Sequence, residues 1–213
     1  MKKITLFFVL CTSFVFSQKK IIKTFETQLK ELTVSSSGLD FLVLKNSNTK
    51  FVKVHLEAED YDDQLIELKE KNESLEVSFY FEGSETREVI FRKFITKRLQ
   101  RASAIIEVPK DMVVTVYGEN VDIESKDLEN ELSIYIDNGI VKLNNISQKT
   151  VVKLYAGNVY GIKKDNNIKI SSNLGKIEVD KMNFTKKFES NHNSDLNGLI
   201  IESIKANIFI TTQ

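Results

Sequence analysis

The stretch KLYAGNVYGIKKDNNIKISSNLGKIEVDK, Lys153 to Lys181, says nearly the same thing twice: alternating strand residues, a small polar corner with one glycine, then alternation again. Aligned on their corner glycines, Gly139, Gly157 and Gly175 stand eighteen residues apart. Five residues before each glycine come Ile134, Val152 and Ile170, and two residues after come Val141, Val159 and Ile177. All six are β-branched, the residue type that suits a pleated surface. Leu132, Ile168, Leu143 and Val179 extend the apolar face, with Thr150 and Gly161 as exceptions. Period-two alternation broken by Gly/Asn corners is the mark of short strands. A fixed step of this length points to stacked coils.

One such unit cannot stand alone, because a few buried branched side chains do not offset the ordering of a whole coil. Stacked coils also satisfy each other's backbone N–H and C=O groups. The spacing therefore predicts an all-β chain folded as a parallel β-helix (a β-solenoid or β-roll) of roughly 18–21-residue coils. Strands are expected to pair in parallel from Val113 to Val179. Ile134, Val152 and Ile170 should stack in one buried column, and Val141, Val159 and Ile177 in another.

Upstream the same frame runs through Val114, Val116, Gly118-Glu119-Asn120, Val121 and Ile123, with what reads as one extra corner residue. Downstream it weakens around Gly198, where Phe188, Leu196 and Leu199 to Ile201 surround the polar residues Asn191 to Ser194. The N-terminal half follows a looser plan. Leu32 and Val34, a Ser/Gly corner, Phe41 and Val43, a polar turn and then Val52, Val54 and Leu56 read as strand, corner, strand. Asp63 to Lys71 suggests a short helix, before a strand through Leu75, Val77, Phe79 and Phe81. Pro109 follows AIIEV and fits a strand end, since proline cannot donate to a ladder.

The first seventeen residues, MKKITLFFVLCTSFVFS, have the charged start, apolar run and small-residue exit of a secretory signal. Val15 and Ser17 occupy the −3 and −1 positions of a cleavage site, and Leu10 before Cys11 does not suit lipidation. Residues 18–213 then form a single domain, looser over 18–108 and regular over 109–213. Cleavage removes the only cysteine, which excludes a disulfide and a thiol nucleophile in the mature chain. It also removes Lys2 and Lys3 from a balance of 30 basic and 30 acidic residues, so nothing electrostatic points to nucleic acid.

The segments LTVSSSGLDFLVL, FVKVHLEAED, IIEVPK, GENVDI, DNGIVKL, AGNVYGI and LGKIEV carry a resemblance to a known group. From Leu32 to Val179 the chain resembles the bacterial adhesin domains of secreted β-strand-repeat proteins, the group that includes the head GIN domains. The resemblance implies a parallel β-helix or β-roll fold and an envelope location. It brings no catalytic residues and no cofactor.

Candidate sites are few. His55 and His192 stand far apart with no second histidine or cysteine near either, so they do not suggest a metal centre. The acidic run Glu57, Glu59, Asp60, Asp62 and Asp63 lacks the spacing and the glycine of a calcium loop. ETREVIFRKFITKRLQRAS, residues 85–103, concentrates positive charge. Arg92, Lys93, Lys97, Arg98 and Arg101 would lie opposite an apolar face of Phe91, Phe94, Ile95 and Leu99 if the segment were helical, which suits a membrane surface or an anionic glycan. Glu124, Lys142, Lys163 and Glu178 are expected to face outward with alternating sign, as on a solvated surface. There is no G-x-S-x-G, H-E-x-x-H or phosphate-binding glycine loop.

The expected function is that of an exported, non-catalytic, adhesin-like protein of the periplasm, cell envelope or extracellular space, binding a glycan or an envelope protein. The alternatives are a glycan-active enzyme on the same scaffold and a periplasmic accessory subunit docked to a membrane complex through the basic segment.

Overall fold

A computed structural model describes residues 20–58, 65–80, 102–164, 167–190 and 198–213. Among them the strands are β1 (Lys20–Glu26), β2 (Glu31–Ser35), β3 (Phe41–Asn46), β4 (Phe51–Glu57), β5 (Ile66–Lys71), β6 (Ser74–Phe79), β7 (Ser103–Val108), β8 (Val113–Asn120) and β9 (Asp122–Lys126). They continue with β10 (Leu132–Ile146), β11 (Thr150–Lys163), β12 (Ile168–Ser172), β13 (Ile177–Val179), β14 (Met182–Phe184), β15 (Lys187–Ser190), β16 (Leu199–Ser203) and β17 (Asn207–Thr212). The described residues contain no α-helix, and all these strands belong to one hydrogen-bonded sheet.

The pairings resolve into two ladders. One runs β5-β6-β2-β8-β10-β11-β16-β12-β15. The other runs β1-β4-β7-β3-β9-β10-β11-β17-β13-β14. β10 and β11 are long enough to belong to both, and each turns a corner in its middle. In β10 the buried residues are Leu132, Ile134 and Ile136 before the corner, then Val141, Leu143 and, past a register shift, Ile146. The interval from Ile134 to Val141 is odd, so the alternation changes phase and both halves face the same core.

The same seven-residue interval separates Val116 from Ile123, Val152 from Val159, Ile170 from Ile177 and Ile201 from Ile208. The rung of β8 and β9 thus has no extra corner residue, and it pairs with β10 at the eighteen-residue step throughout. The additional residue is in the β2–β3 corner, from Val34 to Leu42. It moves the core register onto Leu42 and Leu44, both fully buried, in place of Phe41 and Val43, although Val43 is also covered.

The order of the rungs departs from a simple coil. β12 and β13 continue the eighteen-residue repeat, yet they do not pair with β11. The rung of β16 and β17 lies between them, with Thr150 opposite Leu199 and Leu199 opposite Ile168. The buried columns are therefore Val116, Ile134, Val152, Ile201, Ile170 and Ile123, Val141, Val159, Ile208, Ile177. At the other end β2 is inserted between β8 and β6. Several pairs, such as β1–β4, β4–β7 and β12–β15, are antiparallel. What stands is an all-β chain in a mixed sheet; a parallel coil succession is confined to the rungs from β8 to β11. The physical reason is that every rung offers the same column of branched side chains and the same backbone edge, so sequence neighbours have no advantage over distant rungs.

The helix expected over Asp63–Lys71 is not formed in its described part, because β5 pairs with β6 as a hairpin. Asn72 and Glu73 supply its two turn residues with φ of 49° and 65°, the backbone of a tight two-residue connection. Pro109 follows β7 directly, and its carbonyl accepts a hydrogen bond from buried Asn130 Nδ2 at 2.7 Å.

The corners hold the rungs together. At Gly157, φ is +124° and an added Cβ would stand 2.0 Å from the carbonyl oxygen of Gly139 one rung away. Gly139 in turn has φ +152° and would meet the Val121 carbonyl oxygen at 2.0 Å. Side-chain bonds add to this contact. Ile140 N donates to Asp122 Oδ1 at 2.8 Å, and Asn145 Nδ2 bonds to Asp127 Oδ1 eighteen residues earlier. Buried Ser172 donates to the Ala206 carbonyl at 2.8 Å while accepting from Gly175 N at 3.1 Å. On the outer side of the second ladder Glu107 joins three strands. Its Oε1 lies 3.0 Å from Lys45 Nζ and 3.2 Å from His55 Nε2, the latter a contact that misses hydrogen-bond direction.

Two outcomes are expected from this packing. Gly157→Ala should lower the unfolding free energy by at least about 1–3 kcal/mol, the cost of holding a non-glycine residue in so sparse a conformation. Gly198→Ala, whose Cβ would find its nearest neighbour at 3.4 Å, should be close to neutral. Urea titrations of both variants check the contrast, and Val152→Asp, which buries a carboxylate in the central column, should not fold.

Glu107 is expected to contribute stability that falls in acid. Burial pushes its carboxyl up, but the Lys45 hydrogen bond and the charges of Lys45, His55 and Lys53 outweigh it and hold the group below the usual range. A depressed folded value gives stability above the unfolded carboxylate pKa, about 4.3, that is lost as pH falls through the folded value. Glu107→Gln should therefore show a smaller loss of stability than the wild type between pH 7 and pH 3, measured by denaturant unfolding at each pH.

Candidate ligand-binding groove

The core fixes which residues face outward, because alternate residues on each rung must leave it. Before the corner of the first ladder, the outward positions form two columns. One contains Tyr117, Tyr135, Lys153, Glu202 and Ser171. The other lies two residues further along each rung and contains Asp137, Tyr155, Ile204 and Asn173. Between the columns the chain turns inward at Ile136, Leu154 and Ser203, all buried.

The result is an open groove of about 550 Å³ floored by Ile136, Leu154 and Ser203. It crosses four rungs, roughly 14 Å at the usual strand spacing of 4.7–4.9 Å. Tyr135 is backed by Tyr117, whose ring stacks on it at 5.3 Å with an interplanar angle of 15°. Tyr155 is half exposed, and Lys205 Nζ lies 5.2 Å from its ring centre. Lys153 Nζ and Glu202 Oε2 form an ion pair at 2.8 Å. The Glu202 hydrogen bond and charge hold the Lys153 ammonium above the usual lysine range. Ile204 and Leu174 add exposed apolar surface at the far corner. Aromatic faces with a few placed polar groups make a binding surface.

The residues singled out from sequence are placed otherwise. Arg92, Lys93, Lys97, Arg98 and Arg101 lie outside the described residues, as do His192 and Glu59, Asp60, Asp62 and Asp63 of the acidic run. His55 is on β4 beside Glu107 in a strand-joining contact. Glu124, Lys142 and Glu178 do face outward in one column of the second ladder, with Tyr160 and Phe209 between Lys142 and Glu178. Lys163 does not: it is fully buried, since its alternation from Val159 and Gly161 points it inward. The tyrosines were legible only through the register. Tyr117 and Tyr135 are eighteen residues apart, and Tyr155 is eighteen from Asp137, but that these outward columns border one groove follows only from the rung order.

No protein-family profile and no curated protein matches the chain. A solved structure bearing the name "putative cell adhesion protein", from Clostridium sporogenes, superposes with a TM-score of 0.62 over 92% of this chain and 99% of its own, at 14% identity. Structures named "putative adhesin" from Bacteroides fragilis and Parabacteroides merdae cover 92% of this chain and 98% and 80% of theirs, at 12% and 10% identity. Their TM-scores of 0.33 and 0.35 are too low to establish a shared fold. The resemblance to bacterial adhesins read from the sequence is met at the level of the fold by the Clostridium sporogenes structure.

Proposed function

We propose that this chain is an exported, non-catalytic, adhesin-like protein of the cell envelope that holds an extended glycan along the groove of its first ladder. Export rests on the leader-like start of the sequence, and the adhesin-like role is supported by the name of the Clostridium sporogenes structure. In this reading the two ladders are the walls of a flattened β-solenoid whose central rungs repeat every eighteen residues. The single observation that carries the glycan is the groove crossing four rungs with Tyr135 and Tyr155 on opposite sides.

A linear polysaccharide suits such a groove better than a compact molecule does. The groove is long, shallow and open, and it runs along the stacking axis, so successive sugars would meet successive rungs. Sugar rings present C–H faces to the electron-rich face of an aromatic ring, and their hydroxyls need hydrogen-bonding groups at the edges. Tyrosines beside Lys153, Glu202, Asp137 and Asn173 supply both.

Screening the chain against a panel of immobilised oligosaccharides should find a bound class. Tyr155→Ala should weaken that binding tenfold or more, about 1.4 kcal/mol, with an unchanged denaturant midpoint because the side chain is 52% exposed. Binding that ignores Tyr155→Ala, or a panel with no bound member, would overturn the reading.

A further inference from the structure

We propose that Lys153 and Glu202 act as one hydroxyl-reading pair at the middle of the groove, selecting a neutral sugar that carries two adjacent free hydroxyls. The inference rests on the glycan reading above and adds the chemical class of the ligand. It starts from position. The pair stands in the same outward column as Tyr135, on neighbouring rungs, and faces Tyr155 and Ile204 across the groove floor. A sugar ring resting against the tyrosines therefore has its edge over the pair.

The pair also has the right unused valences. An ammonium has three donors and no acceptor, and a carboxylate has about four acceptor sites and no donor. Their mutual bond at 2.8 Å uses one of each, and the side chains are 49% and 50% exposed. Spare donors and spare acceptors therefore lie side by side and open to the groove. Two adjacent hydroxyls match them: one oxygen accepts from Lys153, its neighbour's O–H donates to Glu202, and both bonds are charge-assisted and strong.

The charge pattern decides the class. Lys153 and Glu202 cancel, so an acidic sugar laid over them meets a carboxylate as closely as an ammonium. The remaining charges flank the site from both sides, with Asp137 one rung before Tyr155 and Lys205 over the Tyr155 ring. Among the described residues that line the groove, Lys153 is the one cation, and its pairing with Glu202 leaves it little preference for a uronate or a sulfated sugar. A stability role alone does not account for the pair, because an exposed ion pair adds little to stability and β11 and β16 already share a backbone ladder.

The test uses the full chain and calorimetric titration with neutral glucose, mannose, galactose and xylose hexasaccharides, and with oligogalacturonate of equal length. At least one neutral oligosaccharide should bind, with oligogalacturonate tenfold weaker or more. Lys153→Met and Glu202→Gln should each reduce the neutral affinity tenfold or more while the melting temperature stays put. The double variant should bind about as weakly as the weaker single one, because the two groups act as a unit. Neutral binding that both variants retain, or tighter binding of oligogalacturonate, would overturn the hydroxyl-reading pair and leave the glycan groove standing. Failure of every oligosaccharide to bind would remove both.

Discussion

The constraint on which this structure depends is the parity of the corner. A strand shows its side chains alternately to two faces, so a corner that simply bends the strand buries both halves when its interval is odd, whereas the β2–β3 corner, eight residues from Val34 to Leu42, resets the alternation with a turn through Gly38 at φ 84°. Seven residues separate Ile134 from Val141, and the interval recurs in the β8–β9, β11, β12–β13 and β16–β17 rungs. With that interval fixed, each residue on a rung is assigned to the core, the corner or the outer surface. The core follows as stacked columns of Val and Ile, and the corners follow as places where backbones approach so closely that Gly139 and Gly157 have no room for a side chain.

Much of this was legible in the sequence because stacking turns a spatial repeat into a numerical one. The eighteen-residue step named the β10–β11 pairing and six residues of the two columns, but not Ile201 and Ile208, which the structure inserts into them. What it could not name was the order of the rungs. Val152 meets Ile201, and Ile201 meets Ile170, but a valine column accepts either isoleucine equally well. Rung order is therefore absent from any local pattern. The β2–β3 corner was misread for a related reason: one more residue in Ser35–Asp40 changed the phase, and Phe41 and Val43 looked as suitable for burial as Leu42 and Leu44. Asp63 to Lys71 read as a short helix, whereas in its described part the neighbouring Asn72 and Glu73 turn β5 into a hairpin with β6.

A stack of identical edges invites unlimited growth, and the ends of these ladders oppose it. At one end β5 lies antiparallel to β6 and carries Glu67, Lys69, Glu70 and Lys71 along its exposed half. At the other, β14 and β15 are three and four residues long and fold back antiparallel on β13 and β12. A short antiparallel strand leaves few unpaired backbone groups, and charge makes a second copy a poor neighbour. The departures from a regular coil thus do physical work: they close the sheet in a way that continued parallel stacking could not.

The same division of labour explains why the groove was harder to foresee than the fold. Inward positions are constrained on every rung, so they repeat and announce themselves. Outward positions answer to no such rule, and the columns containing Tyr117, Tyr135, Lys153, Glu202 and Ser171 show no common residue type. Their meaning comes from adjacency across rungs, including a rung drawn from the C-terminal stretch. Glu202 lies forty-nine residues beyond Lys153, and only the insertion of β16 between β11 and β12 brings the two carriers of charge to 2.8 Å. Had β12 followed β11, the register would have placed Ser171 beside Lys153 and left its ammonium without that carboxylate. The irregular rung order is therefore what furnishes the groove with its paired donor and acceptor.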